Sequence, residues 1–185
     1  MKELSLNILD ITKNSVRAEA TLIKISLVLD RDGWLELVIS DNGCGMSDEM
    51  VRTVTDPFCT TRKTRSVGMG LPLLKMASEL TGGSLEITSS TQKGINGTVV
   101  KATFNTNSID FMPVGDIVST ICMLIAGSPE IDFEFTDISP EREVSLKTVE
   151  LKEVLGNEIS LAEPEIQIWL KEYLTEQYNT SNNEE

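Results

Sequence analysis

Apolar and polar residues alternate with two different periods along the first part of the chain. Leu4, Ile8 and Ile11 follow a helical spacing, which predicts a first helix over residues 2–19. The two segments that follow alternate apolar with polar residues, and residues 30–33 between them (DRDG) have the composition of a tight turn. These segments therefore predict an antiparallel hairpin after the helix.

The pattern stays readable up to residue 105. It predicts a short helix over 47–54, a loop over 56–70, a helix over 71–80 that ends before two glycines, and two strands within 84–104. The order α-β-β-α-loop-α-β-β predicts an α/β (α+β) two-layer sandwich, in which helices cover one face of a mixed β-sheet.

The remaining residues predict an α+β extension. Its expected elements are a buried helix over 113–126, a hairpin whose strands are IDFEFTDI and EVSLKTVEL, and an amphipathic helix over 162–178. On that last helix we expect Ile166, Trp169, Leu170, Tyr173 and Leu174 to share one buried face. We therefore divide the chain into a domain at 1–105, an extension at 106–178 packed on it, and a disordered tail at 179–185.

Charge is distributed very unevenly along the chain. The net charge is −13, and residues 106–185 carry all of it, with 4 basic and 17 acidic residues. This surplus argues against a nucleic acid or an anionic membrane as a partner. It fits either a solvated acidic face or a docking surface for a basic protein. The three cysteines have no metal-ligand spacing and the chain has no histidine, so we expect reduced thiols, a cytoplasmic location and no zinc site.

Two motifs place polar groups within reach of a ligand. In DITKNSVR at 10–17, Asp10 and Asn14 are four residues apart and project from one face of the predicted helix. A carboxylate there can take a proton from water, and a neutral amide oxygen suits Mg²⁺. In DNGCGM at 41–46, the acid at a strand end can accept a hydrogen bond from an exocyclic amine such as that of adenine. The glycines of this motif let backbone approach a flat ring.

Two further motifs suit phosphate. DPFCTTRKTR at 56–65 combines three basic residues with three threonines, a composition that fits polyphosphate contact. GMGLPL at 68–73 places glycines at a helix start, where backbone N–H groups bind anions. Each motif alone also fits a turn or a solvated surface, so their order and spacing carry the information.

Taken in this order, DxxxNS, DNGCGM, DPFCTTR and GMGLPLLK resemble the N, G1, F and G2 boxes of the GHKL ATPases. That family includes histidine kinases, gyrase-like ATPases and mismatch-repair ATPases. The resemblance covers roughly residues 3–105 and implies the Bergerat fold, with ATP and Mg²⁺ as ligands. The P-loop pattern GxxxxGK[ST] does not occur in the sequence.

The resemblance also implies a role for each matched position. Asp41 would bind the adenine amine and Asn14 would hold Mg²⁺ between the phosphates. Asp10 stands where hydrolytic members carry a glutamate general base, which is one methylene longer. Residues 58–67 would form a mobile lid over the phosphates. The other implied nucleotide contacts are Arg17, Gly43, Gly45, Met46, Phe58, Thr60, Thr61, Arg62, Lys63, Gly68, Met69, Gly70, Leu71 and Thr98.

Three functions remain open. NSVRAEATLIKI followed by DNGCGM resembles the mismatch-repair branch, whereas the compact lid resembles the histidine-kinase branch. Without histidine the chain cannot phosphorylate itself on histidine. The candidates are a stand-alone kinase-like regulator that phosphorylates a separate protein, a nucleotide-dependent switch that binds a partner without transfer, and a slow ATPase using Asp10. We favour the first because of the lid; the oligomeric state stays open.

Overall fold

A mixed β-sheet forms the centre of the structure, a computed structural model that describes residues 3–56, 69–156 and 159–180. Its strands are β1 (Leu22–Leu29), β2 (Trp34–Asp41), β3 (Leu85–Ser90), β4 (Gly97–Asn105), β5 (Asp132–Ser139) and β6 (Arg142–Lys147). The helices are α1 (Leu4–Arg17), α2 (Asp48–Thr53), α3 (Gly70–Leu80), α4 (Ile117–Gly127), α5 (Thr148–Leu155) and α6 (Pro164–Thr180). Among the described residues, no helix combines the length and apolar character needed to cross a bilayer.

Alternating side chains give the sheet a buried and an exposed face. On β1, Ile23, Ile25 and Leu27 are buried, and helices α1, α3 and α4 contribute further apolar side chains to the same core. On the opposite face, Lys24 Nζ lies 2.8 Å from Glu134 Oε2 across neighbouring strands. This arrangement confirms the predicted two-layer sandwich, with helices on one face of a mixed sheet.

The C-terminal extension continues the same sheet. The strand order is β3-β4-β2-β1-β5-β6, and β5 pairs in parallel with β1, beginning with Asp132 opposite Leu22. Helix α4 packs against α1, and its Ile121 and Ile125 are buried as their apolar surroundings in the sequence predicted. The boundary predicted at residue 105 therefore falls between two groups of strands in one sheet.

Strand β6 is shorter than the sequence predicted. The pattern EVSLKTVEL predicts a strand up to residue 151, but β6 ends at Lys147 and α5 begins at Thr148. The Thr148 hydroxyl is fully buried and accepts a hydrogen bond from the Phe133 backbone N–H at 2.8 Å. Lys147 Nζ lies 3.3 Å from Glu150 Oε1 in the first turn of α5. These contacts turn the chain out of the sheet before the predicted strand end.

Helix α6 buries a narrower face than predicted. Leu170 and Leu174 are fully buried, whereas Trp169 is 44% exposed and Tyr173 is 38% exposed. Each aromatic residue directly precedes a buried leucine, so it lies about 100° away around the helix. The prediction that both aromatics share the buried face is therefore wrong. The helix also continues to Thr180, beyond its predicted end at residue 178, and residues 181–185 lie outside the described residues.

A buried carboxylate joins β5, β6 and α6. Asp137 is 4% exposed, and its Oδ2 accepts hydrogen bonds from the Tyr178 hydroxyl at 2.7 Å and from Arg142 Nη2 at 3.2 Å. The Arg142 guanidinium also lies over the Tyr178 ring, 4.9 Å from its centroid. Burial, followed by the hydrogen bond to Asp137, raises the pKa of the Tyr178 phenol well above its usual value. The phenol therefore remains a hydrogen-bond donor at neutral pH.

Candidate functional site

Asp41 ends β2 with its carboxylate held by three hydrogen bonds. Oδ2 accepts from the Ser15 hydroxyl at 2.6 Å, while Oδ1 accepts from the backbone N–H groups of Gly43 at 3.0 Å and Thr98 at 3.3 Å. A carboxylate has about four lone-pair sites, so Oδ2 keeps capacity to accept from a ligand. Three of the predicted nucleotide contacts (Asp41, Gly43 and Thr98) therefore lie together, and the carboxylate has a defined orientation.

The loop that follows β2 is attached on two sides. Asn42 Oδ1 accepts hydrogen bonds from the backbone N–H groups of Thr21 and Leu22, both at 2.9 Å. From the other side, Asn96 Nδ2 donates to the carbonyl oxygens of Asn42 at 3.1 Å and Gly43 at 2.7 Å. The Asn-Gly pair thus links the loop to the start of β1 and to the connection between β3 and β4.

Two glycines let this loop lie directly against the β3–β4 connection. Gly45 has a φ of +70°, and a Cβ at this position would overlap the carbonyl oxygen of Ser90. Gly97 has a φ of +138°, and a Cβ there would overlap the carbonyl oxygen of Asp41. The close approach that the structure shows at these glycines is to the protein's own backbone, and the predicted approach to a flat ring stays a prediction. A side chain at either position would push the loop away from β3 and β4.

Ser89 on β3 connects the loop to β4. Its Oγ accepts a hydrogen bond from the Met46 backbone N–H at 2.8 Å and lies 2.8 Å from both the Gly97 carbonyl oxygen and Thr98 Oγ1. The Ser89 hydroxyl therefore links the loop to β4 and places the Met46 backbone near Thr98.

Sequence reasoning missed four side chains that shape this site. They are Ser15, Asn42, Ser89 and Asn96. Ser15 lies in the DITKNSVR motif and Asn42 in the DNGCGM motif, so their positions in the sequence could have indicated a role in the site. Ser89 and Asn96 belong to a strand and a turn with no distinctive pattern, and only the tertiary contacts show their importance.

Helix α1 presents Asp10, Asn14 and Arg17 to solvent, as the i, i+4 spacing predicted for the first two. Arg17 Nη1 donates a hydrogen bond to Asn14 Oδ1 at 3.2 Å. The Asn14 oxygen is thus accessible and already acts as an acceptor toward a cationic group.

The N-terminus of α3 lies beside α1. A Cβ at Gly70 would be 3.5 Å from the Cβ of Asp10. Pro72 has no N–H, so the first turn offers the N–H groups of Gly70 and Leu71 to a ligand. The Leu71 side chain is 7% exposed and belongs to the core, whereas Met69 is 58% exposed. Only the backbone of Leu71 can therefore serve the predicted anion contact.

Helix α1 connects the two ends of the site. Ser15 contacts Asp41, and Asp10, which comes five residues before Ser15 on the same helix, lies against Gly70. Five residues correspond to about 7.5 Å along the helix axis. The remaining predicted contacts lie outside the described residues; they are Phe58, Thr60, Thr61, Arg62, Lys63 and Gly68. The lid over 58–67 therefore stays a prediction.

Helices α1 and α3 cover one face of a mixed sheet, Asp41 places a carboxylate at the end of β2, and Gly70 begins α3 nearby. These features together define an ATP-binding domain of the GHKL class. The sequence matches the family of histidine kinase-, DNA gyrase B- and HSP90-like ATPases over residues 2–119. The chain belongs to this family.

Relatives by sequence include bacterial kinases. Sporulation kinase D of Bacillus subtilis (strain 168) is 35% identical over 95 residues, which is 50% of this chain and 18% of that protein. A probable C4-dicarboxylate sensor kinase of the same organism is 31% identical over 86 residues, covering 46% of this chain and 16% of that protein. The chain therefore matches less than a fifth of the length of these relatives.

Solved structures with the same fold include two with a TM-score above 0.5. The Aquifex aeolicus MutL ATPase domain complexed with ADP has a TM-score of 0.55 and 14% identity, covering 100% of this chain and 99% of that chain. The N-terminal domain of a DNA repair protein has a TM-score of 0.56 and 17% identity, covering 80% and 53% respectively. At such low identity the likeness shows the fold alone.

Proposed function

We propose that this domain binds ATP with the adenine base at Asp41 and the phosphates at the N-terminus of α3. The observation that carries the proposal is the pairing of these two ends through α1, with Ser15 on the Asp41 carboxylate and Asp10 against Gly70. Asp41 Oδ2 accepts a hydrogen bond from the adenine amine, and the N–H groups at the start of α3 donate hydrogen bonds to the phosphate oxygens.

We assign Mg²⁺ to Asn14. The ion usually takes one or two protein oxygens and completes its octahedron with phosphate oxygens and water. The exposed amide oxygen of Asn14 fits that requirement, and Arg17, which now donates to it, can turn its guanidinium to a phosphate. When bound, Mg²⁺ offsets the negative charge of the phosphates.

The reaction that we favour is transfer of the γ-phosphoryl group to a separate protein. An acceptor oxygen or nitrogen attacks the γ-phosphorus, the bond to the β-phosphate oxygen breaks, and ADP leaves with that electron pair. Two relatives with 35% and 31% identity over this region are named as kinases, which supports this choice. Because these 185 residues contain no histidine, a histidine acceptor must lie outside them.

Slow hydrolysis is the second candidate, and the position of Asp10 favours it. Its carboxylate is exposed and its Cβ faces Gly70 at the start of α3, where the phosphates would lie. A carboxylate at that place can take a proton from an attacking water.

Incubation with γ-labelled ATP separates these functions. The protein is tested alone and with a lysate of its source organism, as wild type and as Asp10→Ala, Asn14→Ala and Lys13→Ala. We expect label on another protein, lost with Asn14→Ala and kept with Asp10→Ala and with the exposed control Lys13→Ala. Release of free phosphate that falls about 10²- to 10⁴-fold with Asp10→Ala would instead establish hydrolysis. ATP binding with neither product would leave a nucleotide-dependent switch.

A further inference from the structure

The exposed side of α6 carries an unusual pair of aromatic side chains. The rings of Trp169 and Tyr173 are stacked, with centroids 5.1 Å apart and an interplanar angle of 14°. Both stay in contact with solvent, at 44% and 38% exposure. Large flat aromatic surfaces of this kind attract cations, and arginine above all, because its planar guanidinium stacks on the ring face.

Three glutamates surround the aromatic pair on the same side of the helix. We define the α6 stripe as Glu165, Trp169, Glu172, Tyr173 and Glu176, all of which are exposed. At 100° per residue these five positions span about 100° of the helix circumference, and at 1.5 Å per residue they extend over ~16 Å. The stripe therefore combines carboxylates and ring faces along one continuous surface.

Basic residues of the extension do not neutralise the stripe. Arg142 pairs with Asp137, Lys147 with Glu150, and Lys152 with Asp132. The fourth basic residue, Lys171, interacts with Asp116, which is not part of the stripe. The pKa of Asp116 is lowered first by hydrogen bonds from Ser119 and also by the charge of Lys171.

Within the described ranges, none of the three stripe glutamates forms an ion pair. The stripe therefore keeps a local charge of −3, inside an extension that carries the whole net charge of the chain.

The surface is also held in place from below. Leu170 and Leu174 are fully buried against the core. Gln177 accepts from the Ser145 backbone N–H at 2.9 Å and donates to the Ser145 carbonyl at 3.1 Å, so α6 is fastened along the outer side of β6. A preformed helix loses little conformational entropy when a partner binds to it.

We propose that the α6 stripe is a docking surface for an arginine-bearing segment of a partner protein. Guanidinium groups stack on Trp169 and Tyr173 while the flanking carboxylates accept their N–H groups, often in a bidentate manner. Charge argues against the other occupants, because nucleic acid, an anionic membrane and the equivalent stripe of a second copy are all negative. The inference needs neither nucleotide nor phosphotransfer, so its test is independent of the proposed function.

A fluorescent peptide of four arginines alternating with glycine is the probe, and anisotropy with the full chain is the measurement. A lysine-glycine peptide of equal charge provides the comparison. We expect the arginine peptide to bind more tightly than the lysine peptide. Its affinity should be higher at about 0.01 M salt, where the Debye screening length is ~30 Å, than at about 0.15 M, where that length is ~8 Å. Trp169→Ala with Tyr173→Ala should weaken arginine-peptide binding about 5- to 30-fold, since two exposed cation–π contacts are lost.

Two matched controls locate the effect. Trp34 is the only other tryptophan of the chain and is 39% exposed, so Trp34→Ala should leave binding unchanged. The triple variant Glu165→Gln, Glu172→Gln and Glu176→Gln should weaken binding far more than a second triple variant with the same charge change. That second variant is Asp110→Asn, Glu130→Gln and Glu153→Gln, at exposed positions of the extension outside the stripe.

Several outcomes overturn the proposal. Equal losses in the two triple variants would mean that the peptide senses only net charge. No effect of the aromatic double variant, or no binding at low salt, would remove the stripe as a site. Sedimentation that shows the chain associating with itself, and losing this association with Trp169→Ala, would assign the stripe to a second copy.

Discussion

Replacing Asp41 by asparagine turns one hydrogen-bond acceptor into a donor with little change of size. The amide oxygen must take the Oδ1 position, because the backbone N–H groups of Gly43 and Thr98 point to it and cannot accept. The amide nitrogen then takes the Oδ2 position, where the Ser15 hydroxyl can rotate and accept. We therefore expect the fold to tolerate Asp41→Asn.

ATP binding should not tolerate it. In the variant the new amide N–H group faces the adenine amine. Because both groups are donors, neither finds an acceptor, and the site is half-buried. Such a loss costs about 1–3 kcal/mol, which is about 5- to 150-fold in affinity. Inosine triphosphate carries a carbonyl oxygen instead of the amine, so the variant amide can donate to it. The preference for ATP over inosine triphosphate should therefore shrink or reverse.

Calorimetric titration of both nucleotides into wild type and variant measures this change in preference, and thermal unfolding checks that the fold survives. Asp32→Asn, an exposed position in the β1–β2 turn, controls for the loss of one charge. If Asp41→Asn weakens both nucleotides equally, or changes neither, the assignment of the base to Asp41 is refuted.

Two further predictions test the packing around the site and in the extension. Gly45→Ala should cost about 1–3 kcal/mol of unfolding free energy and weaken ATP binding, because the new Cβ overlaps the Ser90 carbonyl oxygen. Urea denaturation measures this cost. Gly94→Ala is the control, since Gly94 has a φ of +92° but a Cβ there would have nothing within 4 Å. Equal losses of stability in the two variants would mean that the positive φ alone, and not the contact with Ser90, causes the cost. Tyr178→Phe should cost about 1–3 kcal/mol because Asp137 loses a hydrogen bond, and exposed Tyr173→Phe should cost almost nothing. Since folding raises the Tyr178 pKa, this stabilisation is complete below about pH 10 and falls as pH rises further, which alkaline denaturation of wild type and Tyr178→Phe measures.

The sequence alone determined the local elements and the order of the site motifs. Apolar spacing specified α1 and the β1–β2 hairpin, since a period of 3.6 or 2 shows which side chains face a core. The order of the four motifs also identified the class of ligand through the resemblance to the GHKL ATPases, since each motif alone also fits a turn or a solvated surface. The resemblance implied Asp41, Gly43 and Thr98 as nucleotide contacts, and the structure brings these three residues together.

Only the tertiary structure decided which distant segments meet. The bond between Ser15 and Asp41, the pairing of β5 with β1, and the burial of Asp137 under Tyr178 all join residues far apart in the chain. Local pattern cannot predict them, because a polar side chain in a strand or helix looks the same whether it faces water or a partner. Trp169 shows the same limit, since its helical phase allowed burial and the narrow contact made by Leu170 and Leu174 left it exposed. Which side of a helix finds a neighbour depends on how the whole sheet and its helices pack.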